Sequence, residues 1–152
     1  MAKTITNGGK GGDIDGTDNG DVINGMGGDD EIYGGHGHDI LTGGPGNDTF
    51  VFTEFGKGDS DRITDFKHGD KIGIDPTVFT AFKNGHFTSG EFYIGPMSLD
   101  NDDYLNYDPT TGRLYYDDDG NGPDKQHLLA TFDHKPMLHA HDFVLVHEQD
   151  MM

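Results

Sequence analysis

The 152-residue chain is about the length of one domain and is strongly acidic, with 28 Asp and Glu residues against 10 Lys and Arg residues and a net charge of −18. This charge argues against nucleic acid and anionic membrane as partners, since both would repel the chain, and it favours a cation. The sequence has no cysteine, which excludes disulfides and thiolate metal sites, and only 32% of its residues are hydrophobic while 25 are glycine. Metal binding through oxygen is then the natural way to stabilise a fold with so little apolar surface.

Residues 1–10 are predicted to be a flexible lead-in. They contain no apolar run able to act as a signal peptide, and no stretch of the sequence approaches membrane-spanning length. We therefore expect no membrane insertion. If the protein is exported, we expect it to leave without a cleaved N-terminal signal.

Residues 11–52 are predicted to be a domain of nine-residue repeats, whose best copies read Gly-Gly-x-Gly-x-Asp-x-(large apolar)-x. An aspartate recurs at the sixth position and an apolar residue at the eighth position of four blocks. The aspartates are Asp21, Asp30, Asp39 and Asp48, and the apolar residues are Ile23, Ile32, Leu41 and Phe50. The preceding block keeps Ile14 but has Gly12 at the aspartate position, so the array is expected to fray or end there. This is the nonapeptide of parallel β-helices that bind calcium.

Each block has a turn half and a strand half. Glycine lets the first half turn tightly, and in the short strand that follows only the apolar side chain points inward. Successive blocks then lie on opposite sides of a flattened roll, and blocks two apart stack on one another. The register predicts that Asp21 lies near Asp39, and Asp30 near Asp48.

Stacked turns of this kind present carboxylates and carbonyls to a hard cation that takes six to eight oxygen ligands. Four apolar residues cannot offset the conformational entropy of so many ordered glycine-rich residues, and the stacked aspartates would repel one another without an ion. We expect the repeats to be unfolded without calcium and to fold as it binds. A disordered acidic linker is the alternative, but it would not keep aspartate and apolar residue in register over four blocks.

Residues 53–152 are predicted to be a β-rich cap, similar to a mostly antiparallel sandwich. Short alternating segments rich in Tyr, Phe, Ile and Val are separated by Asn-Gly, Thr-Gly and Asp-Gly turns. The predicted strands include 61–66, 71–74, 91–94, 104–107, 113–116, 128–132 and 143–146. The predicted fold class is therefore all-β, a parallel roll followed by this cap.

The repeats resemble the RTX (repeats-in-toxin) calcium-binding proteins, which Gram-negative bacteria secrete through type I machinery. Segments after the repeats resemble the region that follows the roll in serralysin-type proteins: F-V-F at 50–52, D-R-I-T-D-F-K-H-G-D-K-I-G-I at 61–74, the stretch 102–122, and D-F-V-L-V at 142–146. The resemblance covers about residues 11–147. It implies a right-handed β-roll with a cap, an uncleaved secretion signal near the C-terminus, type I secretion machinery as a partner, and folding outside the cell.

The resemblance also implies a ligand set for Ca²⁺, made of the repeat aspartates, turn carbonyls and fifth-position side chains that carry oxygen. At that fifth position Asp29 and Asn47 fit the family pattern better than Gly20 and His38, and Pro45 is another departure from it. The implied ligands are Asp21, Asp30, Asp39, Asp48, Asp18, Asn19, Gly25, Gly27, Gly28, Asp29, Gly34, His36, Gly37, Gly43, Pro45, Gly46, Asn47 and Asp65. Two sandwiched ions are the expected minimum, and end sites would raise the number to three or four.

Other candidate metal ligands lie outside the four repeats. Asp61 and Asp65 are candidates to close the last ion site, or else polar residues at a strand edge. Asp117, Asp119 and Asn121 match the opening of an EF-hand loop, but Leu128 replaces its final glutamate, which favours an acidic hairpin turn.

Histidines offer two further hypotheses. His139 and His141 would share a face of an extended segment and could bind zinc or copper, although unliganded surface histidines are the simpler interpretation. His36 and His38 lie in repeat turns, where protonation in acid would oppose a neighbouring calcium ion.

No catalytic pattern stands out. The sequence has no H-E-x-x-H, no G-x-S-x-G, no phosphate loop and no cysteine nucleophile, so we expect a protein that is not an enzyme. The alternative function is a calcium-dependent adhesin or lectin-like domain that binds cell-surface polysaccharide. Its candidate stacking residues are Tyr93, Tyr104, Tyr107, Tyr115 and Tyr116.

Overall fold

The computed structural model describes residues 4–6, 11–53, 60–79, 82, 92–95, 104–117 and 126–146. The described strands are β1 (Thr4–Thr6), β2 (Gly12–Asp15), β3 (Val22–Asn24), β4 (Asp30–Tyr33), β5 (Ile40–Thr42), β6 (Thr49–Phe52), β7 (Asp61–Ile63), β8 (Lys71–Ile74), β9 (Phe92–Ile94), β10 (Leu105–Asp108), β11 (Arg113–Asp117), β12 (Gln126–Phe132) and β13 (Phe143–Leu145). A short 3-10 helix, Ala140–Asp142, precedes β13. Among the described residues no helix is long and apolar enough to cross a membrane.

These strands form two sheets between which the chain alternates. The larger sheet has the order β1-β3-β5-β7-β12-β11-β10-β9, and the smaller sheet has the order β13-β8-β6-β4-β2. Odd-numbered strands up to β7 thus lie in one sheet and even-numbered strands from β2 to β8 in the other. This alternation confirms the all-β roll that the nine-residue period predicts.

The parallel pairing follows the repeat. Val22 of β3 lies opposite Ile40 of β5, and Glu31 of β4 lies opposite Thr49 of β6, so strands two blocks apart are neighbours. The core between the sheets is a row of apolar side chains from the eighth position of each block, each at most 5% exposed. They are Ile14, Ile23, Ile32, Leu41, Phe50, Ile63 and Ile72.

The roll does not stop with the four regular repeats. β5 pairs with β7 and β6 with β8, at a separation of 22 residues instead of 18. The extra four residues fall between Asp48 and Asp61, and the pattern then resumes, because Asp61-x-Ile63 and Asp70-x-Ile72 are nine residues apart. Parallel pairing therefore crosses the boundary predicted at residue 52, and the pairing of β1 with β3 places part of the expected lead-in within the sheet.

The predicted cap strands form close to their expected positions but do not build a separate sandwich. β12 pairs parallel with β7, and β13 pairs parallel with β8, so the cap extends both sheets of the roll. Only the β10–β11 and β11–β12 pairings are antiparallel among the described strands. A bidentate ion pair joins the roll to the turn after β12. In it Arg62 contacts Asp133, with Nη2 to Oδ2 at 2.8 Å.

Candidate metal centre

The turns between strands owe their shape to left-handed residues at the second and fourth positions. Gly35 and Gly37 have φ of 81° and 94°, and Gly44 and Gly46 have φ of 82° and 107°. In the preceding turn Met26 takes φ of 67°, a strained value for a residue with a side chain. This conformation brings each turn close against the next one in the stack.

Buried aspartates form two columns along the edges of the roll. The first column is Asp21, Asp39 and Asp61, and the second column is Asp30, Asp48 and Asp70, with exposures from 0% to 7%. In each column the carboxylates of the last two aspartates accept a hydrogen bond from the N–H of the preceding aspartate, which lies one coil, or two blocks, earlier. In the first column the N–H of Asp21 donates to Oδ1 of Asp39 (2.7 Å), and the N–H of Asp39 donates to Oδ1 of Asp61 (2.9 Å).

The second column repeats this arrangement. The N–H of Asp30 donates to Oδ1 of Asp48, and the N–H of Asp48 donates to Oδ1 of Asp70, both at 2.9 Å. The predicted proximity of Asp21 to Asp39 and of Asp30 to Asp48 is thus observed. Asp70 is a column member that the sequence reasoning missed. The Asp-x-Ile pattern, resuming nine residues after Asp61, was the signal that would have revealed it.

Turn carbonyls of one turn lie close against the next turn in the stack. A Cβ on Gly35 would lie 2.7 Å from the carbonyl oxygen of Thr17, and one on Gly37 would lie 2.9 Å from that of Asn19. We call the oxygens of Thr17, Asn19 and the Asp39 carboxylate cage one.

The second column has two comparable sets of oxygens. The carbonyl oxygens of Met26 and Gly28 lie against Gly44 and Gly46, and we call them, together with the Asp48 carboxylate, cage two. The carbonyl oxygens of Gly44 and Gly46, with the Asp70 carboxylate, form cage three.

Cage two has the electrostatics of a cation site. Oδ2 of Asp48 is buried and accepts no hydrogen bond from the described part of the chain. Burial, followed by the charges of Asp70 and Asp30, raises the pKa of Asp48 to about 7, although the Asp30 N–H opposes the shift. A bound Ca²⁺ would supply the positive charge that this carboxylate lacks, so the donor set fits calcium.

Cage three shows directly that such oxygens attract a cation. Nζ of Lys67 donates to the carbonyl oxygens of Gly44 (3.0 Å) and Gly46 (2.6 Å), and it lies 3.3 Å from Oδ1 of Asp70. The ammonium group therefore stands among one carboxylate and two turn carbonyls, the oxygens that a metal ion would use.

The remaining implied ligands divide by their surroundings. Asp18, Asn19, Asp29, His36, Pro45, Gly46 and Asn47 lie on exposed turns, whereas Gly25, Gly34 and Gly43 are buried. Oδ1 of Asp29 accepts a hydrogen bond from the N–H of Asn47 at 2.8 Å, which links two stacked turns. Asp65 lies at the end of the second column, where its two oxygens accept from the N–H groups of Gly43 (2.9 Å) and Gly44 (2.8 Å).

Comparison with known proteins identifies the repeats. Residues 15–50 match the family model of the RTX calcium-binding nonapeptide repeat, in four copies. The chain carries an RTX calcium-binding repeat domain. Calcium is therefore the ion of these RTX repeats, as the register of their aspartates predicts.

A solved structure shares the fold. The solution structure of the AlgE6R3 subunit from the Azotobacter vinelandii mannuronan C5-epimerase matches with a TM-score of 0.50 and 24% identity, over 91% of this chain and 80% of that chain. No curated protein matches the sequence. The family match is to a binding repeat and supports a binding role for the RTX domain.

The other candidate metal sites find less support. His139 and His141 have stacked rings with centroids 5.1 Å apart, but His141 lies in the 3-10 helix and not in the extended segment that the sequence suggested. Among the described residues no group of three or more His, Cys, Asp or Glu side chains could hold a metal ion. Asp117 is buried at the end of β11, and the rest of the EF-hand-like stretch, 118–122, lies outside the described residues.

Proposed function

We propose that calcium binds in cages one and two, between stacked turns of the RTX roll, and that this binding folds the chain. The observation that carries the proposal is the pair of buried aspartate columns, in which Oδ2 of Asp48 has no hydrogen bond from a described residue. Without a cation these carboxylates repel along each column. Calcium links the turn carbonyls of one coil to the carboxylate of the next coil, and so couples metal binding to strand pairing.

Circular dichroism during a calcium titration tests this proposal. The β-sheet signal is expected to appear as calcium is added and to be lost in EDTA. A magnesium titration is the matched control, because Mg²⁺ demands a smaller, more regular shell and keeps its waters. A full β signal in EDTA that calcium leaves unchanged would refute the proposal.

The same sites fit a protein that acts outside the cell. Extracellular calcium sites bind at roughly 0.1 to 1 mM, so such sites would stay empty in a low-calcium cytosol. We propose that the chain is exported unfolded by type I secretion machinery, through a signal near its C-terminus, and folds when it meets external calcium. Export from a Gram-negative host that lacks its type I exporter, compared with the intact host, tests this step.

Polysaccharide binding is a second candidate function. Tyr107 and Tyr116 are fully buried, which removes them from any glycan surface. Tyr93 and Tyr115 are half-buried and lie on either side of Asn106, a buried residue whose amide has no hydrogen bond with the described residues. Tyrosine rings in a row on a sheet can stack against sugar rings.

Mannuronan, the polymer in the name of the structurally similar epimerase, is a suitable first probe. Calorimetry with mannuronan oligomers should show heat of binding in calcium, and Tyr115→Ala should reduce it. Absence of binding by the calcium-loaded protein would remove this candidate and leave the calcium proposal untouched.

A further inference from the structure

The turn that ends the second column differs from the turns before it. Residues 65–70 read Asp-Phe-Lys-His-Gly-Asp, and a lysine stands at the third position where earlier turns have Gly27, His36 and Pro45. The backbone N–H of Lys67 donates to Oδ2 of Asp70 at 3.0 Å, which fixes the start of the side chain. The chain then carries the ammonium group back towards the preceding turn.

The oxygens around this ammonium match those of cage two, one coil earlier. In cage two the carbonyls of the second and fourth turn residues, Met26 and Gly28, face the coil of Asp48. In cage three the carbonyls of Gly44 and Gly46 occupy the same turn positions, and Nζ of Lys67 contacts both, along with Asp70. The two cages therefore share their oxygen types, and cage three already holds a positive charge.

We propose that Lys67 replaces calcium in cage three, so that the second column ends in a cation supplied by the chain itself. This inference rests on the proposed function, since it concerns where calcium stops binding. An ammonium and a calcium ion cannot occupy the same oxygens, because both need contacts of about 2.3 to 3 Å and their charges repel. The ammonium is tethered to the chain, so it fills cage three whenever the turns of residues 43–48 and 65–70 are stacked.

The consequence is that the last carboxylate of the second column does not need a metal ion as its partner. Asp70 is 1% exposed and would otherwise be a buried carboxylate at the end of its column. Burial raises the pKa of Asp70, whereas the N–H groups of Asp48 and Lys67 and the charge of Lys67 lower it. The second column then ends in a cage whose cation belongs to the chain, next to the calcium-binding cage two.

Calcium stoichiometry tests the proposal. Lys67→Ala should bind one more calcium ion per chain than the wild type, as counted by native mass spectrometry at saturating calcium. The matched control is Lys71→Ala, which removes the same charge from the same coil. Lys71 lies outside the cage, since its Nζ donates to the His141 carbonyl (3.0 Å). This control should keep the wild-type count.

The outcomes separate the two proposals. Equal counts for wild type and Lys67→Ala would overturn the role of Lys67 while leaving calcium-driven folding in place. A wild type that binds no calcium would overturn the proposed function itself.

Acetylation of the calcium-loaded wild type decides the question if Lys67→Ala does not fold. Lys67 should then be modified at least about tenfold more slowly than Lys71, since its ammonium is held by three oxygens. Equal rates for the two lysines would contradict the proposal.

Discussion

Asp48 shows how one residue ties metal binding to folding. It accepts the N–H of Asp30 through Oδ1, while Oδ2 is buried without a hydrogen bond from the described residues. A buried carboxylate of this kind is costly unless a cation pairs with it. The raised pKa of Asp48 expresses that cost.

Asp48→Asn should therefore weaken calcium-induced folding. The amide keeps the shape of the side chain but removes one negative ligand from cage two, and the calcium concentration at half-folding should rise at least about tenfold, as metal-site substitutions typically do. Circular dichroism titration measures the midpoint. Asp13→Asn, which removes an exposed carboxylate from β2, is the control and should leave the midpoint nearly unchanged. A midpoint for Asp48→Asn equal to that of the control would contradict a calcium site at cage two.

His38 carries a prediction about pH. Its Nδ1 lies 2.7 Å from the carbonyl oxygen of Ser60, so the ring links two coils of the first column. A positive charge on this ring would oppose a cation bound beside the turn, so His38→Asn should weaken the dependence of calcium affinity on pH. Protonation of Asp48 lowers the affinity as well, so the decisive quantity is the difference between wild type and His38→Asn. Identical pH profiles for the two proteins would exclude a role for His38.

At the scale of the element, one coil is incomplete without the coil two blocks away. The carbonyls of one turn and the aspartate of the next turn make each cage, so cages one and two both need residues 16–33. The best-matching repeats, 34–51, supply Asp39 and Asp48 but not the carbonyls that face them.

Deleting Gly16 to Tyr33 should abolish calcium-induced folding, although both best-matching repeats remain. The deletion removes β3 and β4 and the carbonyls of Thr17, Asn19, Met26 and Gly28, which leaves cages one and two with one carboxylate each. Circular dichroism in calcium and in EDTA should give the same weak β signal. A calcium-induced transition with the wild-type midpoint would show that the stacked-turn cages are not the sites.

The sequence predicted the regular coils well, because each block repeats the same pattern of turn residues, aspartate and apolar residue, and the inward residue recurs every nine positions. It did not reveal the coil that follows the insertion, where Phe66 and His68 stand in place of turn glycines. Nothing in the sequence distinguishes Lys67 from other lysines. Only the stacking of the turns brings its ammonium to the carbonyls of Gly44 and Gly46.

At the scale of the whole molecule, the cap is a continuation of the roll. Ala130 of β12 lies opposite Asp61 of β7, and Phe143 of β13 lies opposite Ile72 of β8. Such pairing joins segments about 70 residues apart, and no local pattern encodes it, which is why the sequence predicted the strands but not their partners. The two sheets are covered at their last parallel edges by strands from the C-terminal part.

A chain truncated after Phe82 should therefore fold poorly even in calcium. The truncation keeps the four repeats and the coil of Lys67, but it leaves β7 and β8 as open parallel edges and removes aromatic partners of the core such as Tyr116 and Phe132. Unpaired edges and exposed apolar side chains disfavour the folded state and promote association. The calcium midpoint should rise at least about tenfold, or the chain should aggregate, as measured by circular dichroism and light scattering. Arg62→Met is the control that separates the effect of strand pairing from that of the Arg62–Asp133 ion pair. It breaks only this exposed ion pair and should shift the calcium midpoint little. If the truncated chain folds at the wild-type calcium concentration, the RTX coils are self-sufficient and the C-terminal strands do not contribute to calcium-driven folding.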